Sequence, residues 1–171
     1  MAAETVRRVR KAVFVDIDGV ISPVHGHTAW GDDVVAGNVF GPVYVSPTLC
    51  TRLDELATLP HLSCWWLTSW TTEMRASMHP FPGRNWPFLA EPPEVSRGRR
   101  WWKLVAVEHW LTEHQEVRAV AWCDDELRSG ARRAAIRRRF HDRSVEVLLI
   151  APATSVGLTP SDIELLREWV T

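Results

Sequence analysis

The sequence has only three cysteines, and no pair of them has the C-x-x-C spacing. An odd count without that spacing argues against both a disulfide framework and a zinc site. Cys64 and Cys123 fall in apolar, strand-like runs, so buried reduced thiols are expected. Long apolar runs are missing as well, since none approaches the ~20 residues needed to span a bilayer. The opening MAAETVRRVRK lacks the apolar stretch of a secretory leader, so a cytoplasmic location and no membrane partner are expected. Neither sign of charge dominates. The net of −1 at pH 7 removes any global drive toward nucleic acid or anionic lipid. Lysine is nearly absent: Lys11 and Lys103 stand beside eighteen arginines.

Apolar side chains are plentiful at 46 %, and ten residues are tryptophan. Over 171 residues this suffices for one domain, 1–171, with a substantial core. Most of the tryptophans are expected in that core and its rims, while Trp30, Trp70 and Trp86 fall in loop-like contexts. The chain is organised around Val13–Val20, VFVDIDGV. Its apolar start reads as a buried parallel strand. Two acids at i and i+2, Asp16 and Asp18, close it, followed at once by Gly19, which permits a sharp turn. A strand stopping near Asp16 leaves both acids in the crevice at the carboxyl edge of a parallel sheet, where such folds bind ligands. Paired carboxylates there suit a hard cation, and one of them could attack phosphorus. An acidic turn capping the next segment is the plainer alternative. A calcium loop fits badly, because Val20 and His27 would occupy its fifth and twelfth positions.

Downstream, Ile21 to Val45 is a loop-like insertion ending in a short hairpin at VFGPVYV. Ser46-Pro47 starts a helix carrying Leu49, Leu53 and Leu56. Leu62–Leu67 is a second buried strand, ending in Thr68-Ser69-Trp70, and a short helix with Met74 and Met78 follows. A Pro-rich loop occupies about 79–100, with one short strand at Trp86–Leu89. Trp101–His114 is amphipathic, with Leu104, Val107 and Leu111 on one side. Arg118–Cys123 is a strand closed by Asp124-Asp125-Glu126. Leu127–Phe140 reads as an Arg-rich helix, Val145–Ile150 as the last strand, and Thr159-Pro160 as the cap of a helix carrying Ile163, Leu166 and Val170. Strands alternating with helices predict an α/β fold, a mainly parallel sheet covered on both faces.

Strand ends of such a sheet converge on one edge, so Asp16/Asp18, Thr68/Ser69 and Asp124/Asp125 are expected to meet there, with Lys103 at the start of the helix feeding the third. In order, Asp16-Ile17-Asp18-Gly19-Val20, Leu67-Thr68-Ser69, Lys103 and Trp122-Cys123-Asp124-Asp125 resemble the four motifs of the haloacid dehalogenase (HAD) superfamily. The wording Trp-Leu-Thr-Ser-Trp and Trp-Cys-Asp-Asp-Glu, with Gly157-Leu158-Thr159, resembles a narrower branch, the small HAD domains associated with RNA-repair proteins. The resemblance covers about Val13 to Ile150 and implies a HAD-like Rossmannoid three-layer sandwich. It also implies a Mg²⁺-dependent phosphatase working through an aspartyl-phosphate. Asp16 would then be the nucleophile and Asp18 the general acid and base. Mg²⁺ would be held by Asp16, the Asp18 carbonyl, Asp124 and Asp125. Thr68, Ser69, Lys103 and Gly19 would surround the substrate phosphate. Each has a plainer reading: Thr68 as a helix cap, Lys103 as a solvated helix residue, Asp124-Asp125 as a helix N-terminus.

Full caps in this superfamily lie between the first and second motifs or the second and third. Those intervals here are about 50 and about 35 residues, room for a flap but not a cap domain. An open site points to a large substrate, a polynucleotide end or a phosphoprotein, with small phosphate esters also open. The alternative class is a non-catalytic binding or regulatory module on the same scaffold, which would be marked by a lost acid. No acid is lost. His25 and His27 are candidate substrate contacts rather than metal ligands. Arg128, Arg132, Arg133, Arg137, Arg138, Arg139 and Arg143 form either a solvated helix face or a contact surface for a nucleic-acid backbone.

Overall fold

Alternation along the strands decides how this chain is layered. The computed structural model describes residues 10–91 and 101–171. In chain order these form β1 (Arg10–Val15), β2 (Val34–Asn38), β3 (Pro42–Val45), α1 (Pro47–Ala57), β4 (Leu62–Trp66) and α2 (Thr72–Ala76). Then come α3 (Trp102–Glu113), β5 (Val117–Cys123), α4 (Gly130–Asp142), β6 (Glu146–Ile150) and α5 (Pro160–Val170). Strands β4, β1, β5 and β6 lie side by side in that order, all parallel. Val13 and Val15 of β1, with Ala121 and Cys123 of β5, face α1 and α5 through Leu49, Leu53, Ile163 and Leu166. Ala12, Phe14, Val120 and Trp122 face the other way, onto Val107 and Trp110 of α3 and Ile136 and Phe140 of α4. Period-2 side chains thus build two cores, and helices cover both faces.

The chain steps from β1 outward to β4, then back across β1 to β5 and on to β6. Strand order therefore reverses between β1 and β5, which opens a crevice at their carboxyl ends. Between β1 and β4 stand a loop, the antiparallel hairpin β2–β3 and α1. Among the described residues there is no cap domain. No described helix is long and apolar enough to cross a membrane. All three cysteines are buried and free.

Local signals placed most boundaries. Ser46 Oγ accepts the Leu49 amide at 3.0 Å with Pro47 opening α1, and Thr159 and Asp162 form a reciprocal capping box on α5. Four expectations need correction. The helix expected from Leu127 is broken. Asp124 Oδ1 accepts the Glu126 amide at 2.9 Å and winds Asp125–Arg128 into a 3₁₀ turn, and Ser129 then caps α4 afresh. The strand expected at Trp86–Leu89 shrinks to one bridge between Trp66 and Phe88, because Pro87 has no N–H to extend a ladder. Helix α2 stops at Ala76, leaving Met78 buried just beyond it. On α3 the inward face is Lys103, Ala106, Val107, Trp110 and Leu111, with Leu104 only partly buried. A lysine thus takes a core position that periodicity alone assigns to an apolar residue. Part of the expected Pro-rich loop, 92–100, lies outside the described residues.

Candidate active site

The register of β1 against β5 assembles the centre. Val15 pairs with Cys123, so Asp16 and Asp124 are the next residues on neighbouring strands. Their amides extend the ladder one step, Asp16 to the Cys123 carbonyl at 3.0 Å and Asp124 to the Ile150 carbonyl at 3.1 Å. Two residues past Phe14 and Trp122, both carboxylates share the face of α3. The first turn of α3 brings Lys103 to meet them. Its Nζ donates to Asp16 Oδ2 at 2.5 Å and Asp124 Oδ2 at 2.7 Å, and lies 3.4 Å from Glu126 Oε2. Asp16, Lys103 and Asp124 are all buried.

Past Asp16 the chain folds tightly over itself. The Ile17 amide donates to Asp16 Oδ1 at 2.7 Å, and the amides of Val20, Ile21 and Ser22 converge on the Ile17 carbonyl. Gly19 sits at φ +69°, and a Cβ there would lie 2.6 Å from Asp125 Oδ2, so both backbone shape and proximity demand glycine. Asp125 accepts the Thr154 hydroxyl at 2.6 Å. A second glycine, Gly157 at φ +72°, lets the loop before α5 approach the Val20 carbonyl, which accepts the Leu158 amide at 2.8 Å. The loop carrying Asp18 is thereby clamped from two sides.

Asp18 differs from Asp16 in every respect that matters for chemistry. It is exposed, and its Oδ2 accepts the Trp70 indole N–H at 2.9 Å. Thr68, at the end of β4, is buried, and its hydroxyl accepts the Trp70 amide at 3.3 Å. Ser69 is exposed and lines a cleft of about 750 Å³ running from Asp18 to the β2–β3 hairpin. His25 and His27 are exposed on that cleft, with His27 Nδ1 3.2 Å from Asp33 Oδ2. Neither belongs to a metal-ligating cluster among the described residues.

One lysine shared by two buried carboxylates sets the electrostatics. Burial raises Asp16 above its ordinary range, although the Lys103 ammonium, the Ile17 amide and Thr68 all oppose this. Burial and the neighbouring Asp16 carboxylate push Asp124 up to about 7 against the pull of Lys103. Burial works against the Lys103 charge too, but the two carboxylates together outweigh it and hold the ammonium charged. Glu126 ends lower than usual: its partial burial is overcome by Lys103, Arg132 and Trp101. The centre carries surplus negative charge. Asp16, Asp124 and Asp125 each offer an oxygen within 4.8 Å of one another, a hard, all-oxygen donor set that fits Mg²⁺.

The structure therefore brings together Asp16, Thr68, Lys103, Asp124 and Asp125, with Gly19 packed on Asp125. Asp18 and Ser69 stand at the cleft, and the Asp18 carboxylate lies outside the acid cluster. Sequence reasoning missed three contributors. Glu126 adjoins the fourth motif and was legible as a third acid. Trp70 was visible only as a tryptophan in a loop. Thr154 carries no local signal at all. Of the arginine-rich segment, Arg132 reaches the centre through Glu126. Arg132 pairs with Glu126 at 2.5 Å and Arg139 with Glu108 at 3.5 Å, while Arg128, Arg133, Arg137, Arg138 and Arg143 make no ion pair among the described residues.

A parallel sheet whose switch point holds Asp16 and Asp124 around a buried lysine, with a threonine at the next strand end, is the core of a HAD-superfamily domain. Within it, the chain belongs to the family described as the HAD domain in Swiss Army Knife RNA repair proteins, which matches residues 12–163. No curated protein and no solved structure matches it.

Proposed function

We propose that this chain is a Mg²⁺-dependent phosphomonoesterase that works through an aspartyl-phosphate on Asp16. The carrying observation is the contrast between two acids two residues apart: Asp16 buried in the acid–lysine centre, Asp18 exposed on the cleft. In the first step a carboxylate oxygen of Asp16 attacks phosphorus, and the bond to the leaving oxygen breaks as Asp18 delivers a proton to it. In the second, Asp18 takes a proton from water, whose oxygen attacks the same phosphorus. The acyl phosphate breaks, releasing inorganic phosphate and the Asp16 carboxylate. Lys103 offsets the charge on Asp16 and the phosphoryl oxygens, and Thr68 and Ser69 supply hydrogen bonds to those oxygens. The Trp70 indole holds Asp18 in place between the two proton transfers. Mg²⁺, held by Asp16, Asp124, Asp125 and the Asp18 carbonyl, would reduce the repulsion between carboxylate and phosphate dianion.

The open cleft supports a phosphate carried on a large substrate. The family description, naming RNA repair proteins, favours a polynucleotide end among these. The test is hydrolysis of p-nitrophenyl phosphate with Mg²⁺, abolished by EDTA. Asp16→Asn should remove turnover, because an amide is a far poorer nucleophile. Undiminished turnover in that variant would refute the mechanism. A wild-type protein inactive on every phosphate ester, polynucleotide ends included, would instead leave a binding module on a HAD scaffold.

A further inference from the structure

The cleft beside Asp18 has a feature that the phosphoryl chemistry does not use. Phe40, at the tip of the β2–β3 hairpin, is 99 % exposed and lines the cleft. An aromatic ring left this exposed, with no aromatic partner among the described residues, contributes nothing to the core. Tyr44, on the return strand, also lines it, its ring set edge-on to His27 at 5.6 Å between centroids. Trp70 forms part of the floor, next to Asp18. No lysine or arginine lines the cleft among the described residues. This wall suits a flat, uncharged group attached to the phosphate, not a run of charged backbone.

We infer that the cleft takes the base of the nucleotide bearing the scissile phosphate at a polynucleotide end, stacked on Phe40. This rests on the phosphomonoesterase reading for its orientation, since Asp18 and Ser69, which that chemistry uses, line the same cleft as Phe40. A volume of about 750 Å³ accommodates a base with its sugar. A phosphotyrosine ring alone would leave much of it unfilled. Every base has a π-face, so stacking of this kind is tolerant of sequence and insensitive to salt, unlike contacts from cations to phosphates. The exposed His25 and His27 add hydrogen-bonding edges for base heteroatoms.

The test is binding of a terminally phosphorylated ribo-oligonucleotide, followed by fluorescence anisotropy in an Asp16→Asn background that prevents turnover. Adding Phe40→Ala should weaken binding roughly 5- to 150-fold, the usual cost of losing one base–aromatic stack. The same factor should appear at 50 mM and 300 mM salt, and Phe40→Trp should restore binding. An oligonucleotide whose phosphorylated terminal nucleotide is abasic should bind both proteins equally weakly. Because Phe40 is 99 % exposed, its removal should leave the thermal unfolding of the protein unchanged, which separates a lost stack from a lost fold. Equal binding by parent and Phe40→Ala would overturn the inference, as would a loss confined to a phosphotyrosine peptide. Binding is read without turnover, so the inference can fail while hydrolysis stands, or hold where hydrolysis fails.

Discussion

Lys103→Met keeps the aliphatic stem of the side chain and removes only the charge between Asp16 and Asp124, which makes it the sharpest probe of the centre. In the wild type, Nζ is 2.5 Å from one carboxylate and 2.7 Å from the other. Without it, two carboxylates whose oxygens lie within 4.8 Å of each other face one another in a buried site. At an effective dielectric of about 20 their repulsion is about 3 kcal/mol, and breaking a buried ion pair from one side costs a similar 3–5 kcal/mol. These are two views of one effect and are not to be added. A protein of this size loses roughly 2–4 °C of Tm per kcal/mol, so Tm should fall by about 6–12 °C. The assay is thermal unfolding at pH 8 in EDTA, so that no cation replaces the lost charge. Adding Asp124→Asn to Lys103→Met removes the repulsion and should recover part of the loss, a non-additive cycle. A Tm within 2 °C of wild type for Lys103→Met, or a double variant less stable than the single, would refute the account.

The geometry around Asp18 and the buried thiols leads to two further outcomes. Trp70→Phe deletes the N–H that holds Asp18 while keeping the ring that stacks on Phe81 at 6.3 Å; kcat should fall about tenfold, roughly 1.4 kcal/mol, with Tm little changed. Unaltered kcat would remove Trp70 from the mechanism. Burial pushes the Cys50 and Cys64 thiols up to about 12 from 9.0, helped by Asp54 beside both. A raised folded pKa means stability is intact below about pH 9 and is lost between about pH 9 and about 12, at about 1.4 kcal/mol per thiol by pH 10. Cys64→Ala should therefore flatten the alkaline fall of Tm, and iodoacetamide at pH 8 should label the thiols only in denaturant.

Much of this fold was written locally. Apolar runs ending in acids marked β1 and β5, Ser46-Pro47 and Thr159-Pro160 marked two helix starts, and four ordered motifs marked the centre. Local signals erred where a side chain answered to distant partners. Lys103 sits at a core position of α3 because Asp16 and Asp124, 87 and 21 residues away, draw its ammonium inward. The Asp124 side chain bonds the turn that follows it, and so delays α4 to Gly130.

Sequence by itself determined that strands alternate with helices and that strand ends carrying Asp16, Thr68 and Asp124 converge on one edge of the sheet. Such statements depend on periodicity, residue chemistry and order along the chain. Tertiary structure alone decided that Trp70 holds Asp18, that Thr154 holds Asp125, and that Phe40 stands bare at the mouth of the cleft. Those depend on which surfaces meet when the register of β1 against β5 is set and the loops close over it. No spacing in one dimension encodes a hydrogen bond across 52 residues, or the exposure of one ring at a hairpin tip.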